Sequence, residues 1–68
     1  MSVRVTVNGE ARELPVGTTV AELVAAATGL TAGVAAAVNG EVVPRRRWPG
    51  TQLRDGDQVE VVTAVQGG

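Results

Sequence analysis

The sequence predicts a small α+β domain, a mixed sheet of about four to five strands packed on one helix. Three observations predict it. The dipeptide Asn-Gly occurs twice, at Asn8-Gly9 and Asn39-Gly40, each time between stretches that read as strands. Only one stretch, opening at Thr19, spaces its apolar residues as a helix does. The longest β-prone segment, Gln58 to Val65, comes last, so the chain ends its folded part in a strand. The 68 residues divide into one domain over 1–65 and a flexible Gly-Gly tail over 66–68. A domain this small buries only ~60% of the surface its unfolded chain exposes, so its core must be compact.

Val3, Val5 and Val7 alternate with Ser2, Arg4 and Thr6, the period of a strand with one buried face. A type I′ turn at Asn8-Gly9 needs positive φ at both central residues, which Asn tolerates and Gly accepts, so Glu10 to Leu14 returns antiparallel. Pro15 and Gly17 end that strand. Thr19 and Glu22 form a capping-box pair, each side chain accepting from the other residue's backbone N–H. Val20, Leu23, Val24 and Ala27 then make one apolar stripe, and Gly29 follows as the terminator. Leu30 to Gly33 connects back to the sheet.

Val34 to Val38 is an unbroken run of small apolar residues, fitting a strand covered by the helix. The second Asn-Gly turns it into Glu41, Val42 and Val43, closed by Pro44. Arg45 to Leu53 has Pro, Gly and no clear period; it reads as a surface loop or single turn, with Trp48 and Leu53 folding back onto the core. Asp55-Gly56-Asp57 is a third turn signal before the last strand. A helix can cover such a sheet when the first and last strands lie side by side in its middle. That is the β-grasp, or ubiquitin-like, arrangement; a ferredoxin-like domain would need a second helix, for which no amphipathic stretch exists.

The side-chain inventory excludes whole classes of chemistry. There is no Cys, His, Lys, Tyr or Phe. Disulfides, thiolate metal sites and thiol nucleophiles are therefore absent, and the usual metal ligands shrink to carboxylates. General acid–base work near neutral pH falls to His or to a carboxylate or amine tuned by burial, for which a core of this size has little room. An autonomous enzyme is not expected. Six Arg against seven acidic residues leave a net charge of -1, which argues against nucleic acid as a partner. The run Arg45-Arg46-Arg47, bracketed by Pro44 and Pro49, leaves three readings open: a solvated loop, a contact for an acidic partner protein, or a nucleic-acid contact. No apolar run approaches the ~20 residues of a membrane span. Met1-Ser2-Val3-Arg4 lacks the apolar core of a signal peptide, so no membrane contact and a cytoplasmic location are expected.

The tail then becomes the candidate site. Gly67 and Gly68 have no Cβ, so they can extend through a narrow channel and present the carboxylate of Gly68 to another protein. An ionised carboxylate is a poor electrophile and must first be activated, for instance as an acyl-adenylate formed from ATP and Mg²⁺ on a separate enzyme. If Val59 and Val61 point to the helix, Val62 and Ala64 lie on the opposite, open face of the sheet.

Over nearly its whole length the chain resembles the small sulfur-carrier proteins of thiamine thiazole biosynthesis, which are ubiquitin-like β-grasp domains. The matching pieces are "VNGE" with "RELP", "TVAELV", "AVNGEVVPR" with Trp48, "LRDGDQVEVV", and the most specific, the ending "AVQGG". The arginine triplet is richer in Arg than that pattern requires. The resemblance implies a cycle in which a ubiquitin-activating-like adenylyltransferase adenylates Gly68. Sulfur from a donor such as a cysteine desulfurase then replaces the adenylate, and the thiocarboxylate feeds a thiazole synthase. It further implies that Gly67 gives threading room, that Gln66 and Val65 sit at a tunnel mouth, and that the outer face with Ala64 and Val62 docks both enzymes. No cofactor would be bound by this chain itself. Small subunits of molybdopterin synthase share the fold and the Gly-Gly end but tend to lack the "NGE.VPR..W" stretch, and they stand as the alternative. A β-grasp interaction module without covalent chemistry is another.

Overall fold

A computed structural model describes residues 1–29 and 33–63. Its elements in chain order are β1 (Ser2–Val7), β2 (Glu10–Pro15), α1 (Val20–Thr28), β3 (Val34–Val38), β4 (Glu41–Val43), a 3-10 helix (Arg45–Gly50) and β5 (Gln58–Thr63). The strands form one five-stranded sheet in the order β2-β1-β5-β3-β4. β1 and β5 run parallel, and every other neighbouring pair is antiparallel. The last strand therefore sits in the middle beside the first. A parallel pair requires a crossover, and α1 provides it across one face. This is the β-grasp fold that the sequence predicts.

Both Asn-Gly turns adopt the expected positive dihedrals, with φ of 51° at Asn8 and 85° at Gly9, and 53° at Asn39 and 85° at Gly40. Their two-residue loops fix the registers Val7↔Glu10 and Val38↔Glu41. The pleat then puts Val5, Val7, Val59 and Ala36 on the helix side, where they pack with Val20, Leu23 and Val24 of α1. Trp48 and Leu53 complete this core, both buried, as expected of them. Arg45–Gly50 is more than the loop or single turn expected of it: its six residues wind through about two turns of 3-10 helix. The Trp48 indole Nε1–H donates to the Val43 carbonyl at 2.9 Å, so its one polar atom is satisfied where the ring is buried.

The helix begins as its capping box dictates. The Glu22 N–H donates to Thr19 Oγ1 at 3.3 Å and the Thr19 N–H to Glu22 Oε1 at 3.0 Å. A second clamp was not legible in the sequence: an antiparallel bridge pairs Thr19 with Gln52. There the Val20 N–H donates to the Thr51 carbonyl at 2.9 Å and the Leu53 N–H to that of Thr18 at 2.8 Å. One of the donors left over at a helix start is thereby satisfied by the segment that follows Trp48. At the other end Gly29 turns left-handed (φ 72°) and donates to the Ala25 carbonyl. Ala27 departs from expectation, because it is exposed rather than part of the buried stripe. A methyl side chain in the last turn reaches less far toward the sheet than Leu23 and Val24 do one turn earlier. Pro15 also differs slightly, closing β2 from within opposite Ser2; β2 is an edge strand, where the missing N–H costs no ladder bond. The expected connection over Leu30–Gly33 and the expected end of the last strand at Val65 fall mostly or wholly outside the described residues. No described helix is long and apolar enough to cross a membrane.

The turn side chains also hold β5. β1 pairs with β5 through only Thr6↔Gln58 and Val7↔Val59 before it leaves the sheet at the turn. Asn8 carries the pairing on: its N–H donates to the Val59 carbonyl at 2.9 Å, its Nδ2 to the Val61 carbonyl at 3.2 Å, and its Oδ1 accepts the Val61 N–H at 2.9 Å. Asn39 does the same at the start of the strand. Its N–H reaches the Gln58 carbonyl at 2.7 Å, its Oδ1 accepts the Gln58 N–H at 3.0 Å, and its Nδ2 donates to Asp57 Oδ1 at 3.0 Å.

Two outcomes are expected from this arrangement. Asn8→Gly keeps the positive-φ turn but removes both side-chain bonds to Val61, so urea unfolding should show a loss of about 1–2 kcal/mol and hydrogen exchange should quicken at the Val61 amide. Trp48→Ala removes a buried ring at a cost of about 3–5 kcal/mol. A domain of this length holds only about 3–10 kcal/mol in total, so far-UV circular dichroism should find that variant largely unfolded.

Candidate functional site

The tail is joined to the central strand of the sheet, since Thr63 ends the described part of β5. Of the residues expected at the site, Ala64, Val65, Gln66, Gly67 and Gly68 lie outside the described residues. Val62 is described, and it stands on the face away from α1, as the alternation with Val59 and Val61 predicts. Val59 is 1% exposed, Val62 61%.

The registers show what surrounds Val62. It pairs with Ala35, and the next row of the same face runs Glu60, Ala37, Val42 across β5, β3 and β4. Val42 is 74% exposed and Ala35 is also exposed. Two valines and two alanines thus form an apolar area around one carboxylate, on the open side of the sheet and beside the strand that leads into the tail. Sequence reasoning missed Val42, Ala35 and Ala37. The run Val34 to Val38 is apolar throughout and has no alternation to say which residues face out. The signal was the hairpin register instead: a two-residue Asn39-Gly40 loop sets Ala37 opposite Val42, and pairing with β5 then puts both beside Glu60.

Polar groups near the other end of β5 serve the fold. Asp55 Oδ1 accepts the Arg4 N–H at 2.7 Å, and Asp57 Oδ2 accepts the Arg54 N–H at 2.8 Å. Among the described residues no three carboxylates converge where they could hold a metal ion. What the described surface offers is therefore contact area, with no assembled set of acids, bases or ligands.

Residues 5–68 match the model of the ThiS family. The chain belongs to the ThiS family. A relative from Escherichia coli K12, named sulfur carrier protein ThiS, is 36% identical over 61 residues, covering 90% of this chain and 92% of its own. The crystal structure of thiamine biosynthesis protein ThiS from Geobacter metallireducens matches with a TM-score of 0.78 and 33% identity, over 97% of this chain and all of that one. Membership in the ThiS family classes the chain with sulfur carriers. It also clarifies the resembling stretches. "VNGE", "AVNGE" and "RDGD" hold Asn8, Asn39, Asp55 and Asp57, all of which tie strands together, and "VPR" with Trp48 builds the 3-10 helix. In this ThiS-family chain those stretches build the fold.

Val42→Ser and Val62→Ser should leave thermal stability within about 0.5 kcal/mol of wild type, because neither side chain is part of the core. Val59→Ala, on the opposite face of the same strand as Val62, should cost about 2 kcal/mol in the same melting experiment.

Proposed function

We propose that this chain is a sulfur carrier for thiazole formation in thiamine biosynthesis, a protein co-substrate and no catalyst of its own. The observation that carries the reading is the Gly67-Gly68 end on a ThiS-family domain that has no Cys, His or Lys. The reacting group is the carboxylate of Gly68. On an adenylyltransferase of the ubiquitin-activating kind, one carboxylate oxygen attacks the α-phosphorus of ATP, held with Mg²⁺ by that enzyme. Pyrophosphate leaves and an acyl-adenylate forms. The terminal sulfur of a persulfide, originating from a cysteine desulfurase, then attacks the acyl carbon and AMP departs; a thiol next cleaves the S–S bond of the resulting acyl disulfide, so that the thiocarboxylate is released and the two thiol sulfurs are left joined as a disulfide. The product is a thiocarboxylate, in which the carbon has exchanged an oxygen for a nucleophilic sulfur that a thiazole synthase consumes. Since the cycle uses ATP, the cytoplasm is where we propose it runs.

Each tail residue has a part in this reading. Gly67 lets the end thread a narrow channel, Gln66 and Val65 lie at its mouth, and Ala64 and Val62 join Val42 in seating the enzymes on the open face. An exposed apolar area on the strand that leads into the tail and on its neighbours supports that use, since such areas on small domains serve as contact surfaces. The body supplies orientation, the tail chemistry.

Co-expression with the host's adenylyltransferase and desulfurase should add to the intact mass the difference of one oxygen-to-sulfur exchange, and deletion of Gly68 should abolish it. An unchanged wild-type mass would sink the proposal. Val42→Asp and Val62→Asp should each slow loading about tenfold, the equivalent of ~1.4 kcal/mol of docking energy, without shifting the melting temperature.

A further inference from the structure

The charges of this chain are segregated. Arg45, Arg46 and Arg47 sit on the 3-10 helix with Arg54 nearby, and Glu41 and Asp57 are the carboxylates that line a groove with two of them. The rest of the chain has two arginines against five carboxylates. Arg47 and Arg54 line one groove of about 410 Å³ with Val42, Gln52 and two carboxylates, Glu41 and Asp57, so its charges balance. Arg46 and Arg47 line a second, of about 370 Å³, with Gly50 and Thr51. The two share Arg47, so they form one basic ridge along the β4 edge of the sheet.

These guanidinium groups are spare. Among the described residues no carboxylate pairs with Arg46, Arg47 or Arg54, although seven acidic residues exist to do so. Asp57 lies in the groove, but both its oxygens accept bonds that hold the Asp55-Gly56-Asp57 turn, from Asn39 Nδ2 and the Arg54 N–H. The ridge is also held in place. Trp48 is buried beneath it, Arg45 lies 5.6 Å over the indole ring, and Thr51 Oγ1 donates to the Arg47 carbonyl at 2.8 Å. Binding to a backbone already ordered in this way loses less entropy than binding to a loose arginine loop.

We infer that Arg46, Arg47 and Arg54 form a docking ridge for an acidic segment of a protein partner, set beside the open sheet face. The inference rests on the carrier reading, in which an enzyme seats on that face. Two observations select a protein over a nucleic acid. The groove runs to Val42, the outermost apolar residue of the open face, so one partner can cover both. And beyond the ridge the chain is acidic, which repels a phosphate backbone but meets no penalty from a local acidic loop. Charges of this kind act chiefly by speeding encounter.

The test uses the full chain and the purified adenylyltransferase of its own host, with association followed by stopped-flow fluorescence. The variant Arg46→Glu/Arg47→Glu should associate about tenfold more slowly than wild type at low ionic strength. The gap should close near ~1 M salt, where the screening length falls to ~3 Å. Arg46→Gln/Arg47→Gln should fall between the two and serves as the reading if the reversal shifts the melting temperature. Equal rates for wild type and both variants, with the wild type still adenylated, overturn the ridge and leave the carrier reading standing. A wild type that the enzyme neither binds nor adenylates overturns both. Salt-dependent binding of a fluorescent single-stranded oligonucleotide, lost in the variants while enzyme association is unchanged, reassigns the ridge to nucleic acid and overturns it as a protein site.

Discussion

The whole structure depends on seating the last strand between β1 and β3. Among the described residues β5 is the one strand that joins the two hairpins into one sheet, yet its backbone pairing to β1 covers just two residues, Thr6↔Gln58 and Val7↔Val59. A ladder that short would be a weak seam. It is reinforced by side chains acting as backbone. Asn8 offers Val61 a donor and an acceptor where β1 has already turned away, and Asn39 offers Gln58 an acceptor at the opposite end. Asp55 binds the Arg4 N–H from the turn that precedes β5. Each of these bonds ties a hairpin to β5 or to the turn before it, so each resists the one-residue slip that would carry Val59 out of the core.

The same logic explains the long stretch between β4 and β5. A nine-residue helix is too short to be stable by propensity alone, and it must be gripped by tertiary contacts. The chain after β4 supplies the grip: Trp48 drops into the core, and residues 51–53 return along the helix start to bridge at Thr19↔Gln52. The 3-10 helix is the piece of geometry that lets Trp48 face inward while Arg45, Arg46 and Arg47 face out. One short 3-10 helix thus anchors the core and presents the basic ridge together.

Most of the fold was legible because it is written in local rules. Two Asn-Gly turns, one capping box and one period-2 run locate five elements, β1 to β4 and α1, and their order leaves few topologies. What was not legible depends on contacts between distant residues. Nothing in the sequence says that Asn8 reaches Val61, since the φ requirement alone is enough to account for Asn in that turn. Ala27 misled because spacing counts directions and ignores reach: it shares the stripe's direction, but its methyl lies in the last turn. On the candidate site, parity located Val62 from its own strand, whereas Val42 required two registers multiplied together, and the featureless run Val34 to Val38 hides the link between them.

The division of labour in the molecule follows from its size. The buried side chains number few, and nearly all belong to the single seam between helix and sheet, so a polar catalytic group could enter the core only by displacing a residue on which the fold depends. In the proposed cycle the reactive chemistry falls instead to the carboxylate of Gly68. On the carrier reading this has a further consequence. An acyl-adenylate is open to attack by amines and thiols, and a carrier surfaced with lysine or cysteine would present such nucleophiles to its own activated end or to that of a second copy. Here all six cationic side chains are arginine, which stays protonated and does not act as an acyl acceptor at neutral pH. The chain can thus carry a positively charged ridge without adding lysine amines that would compete for the activated end.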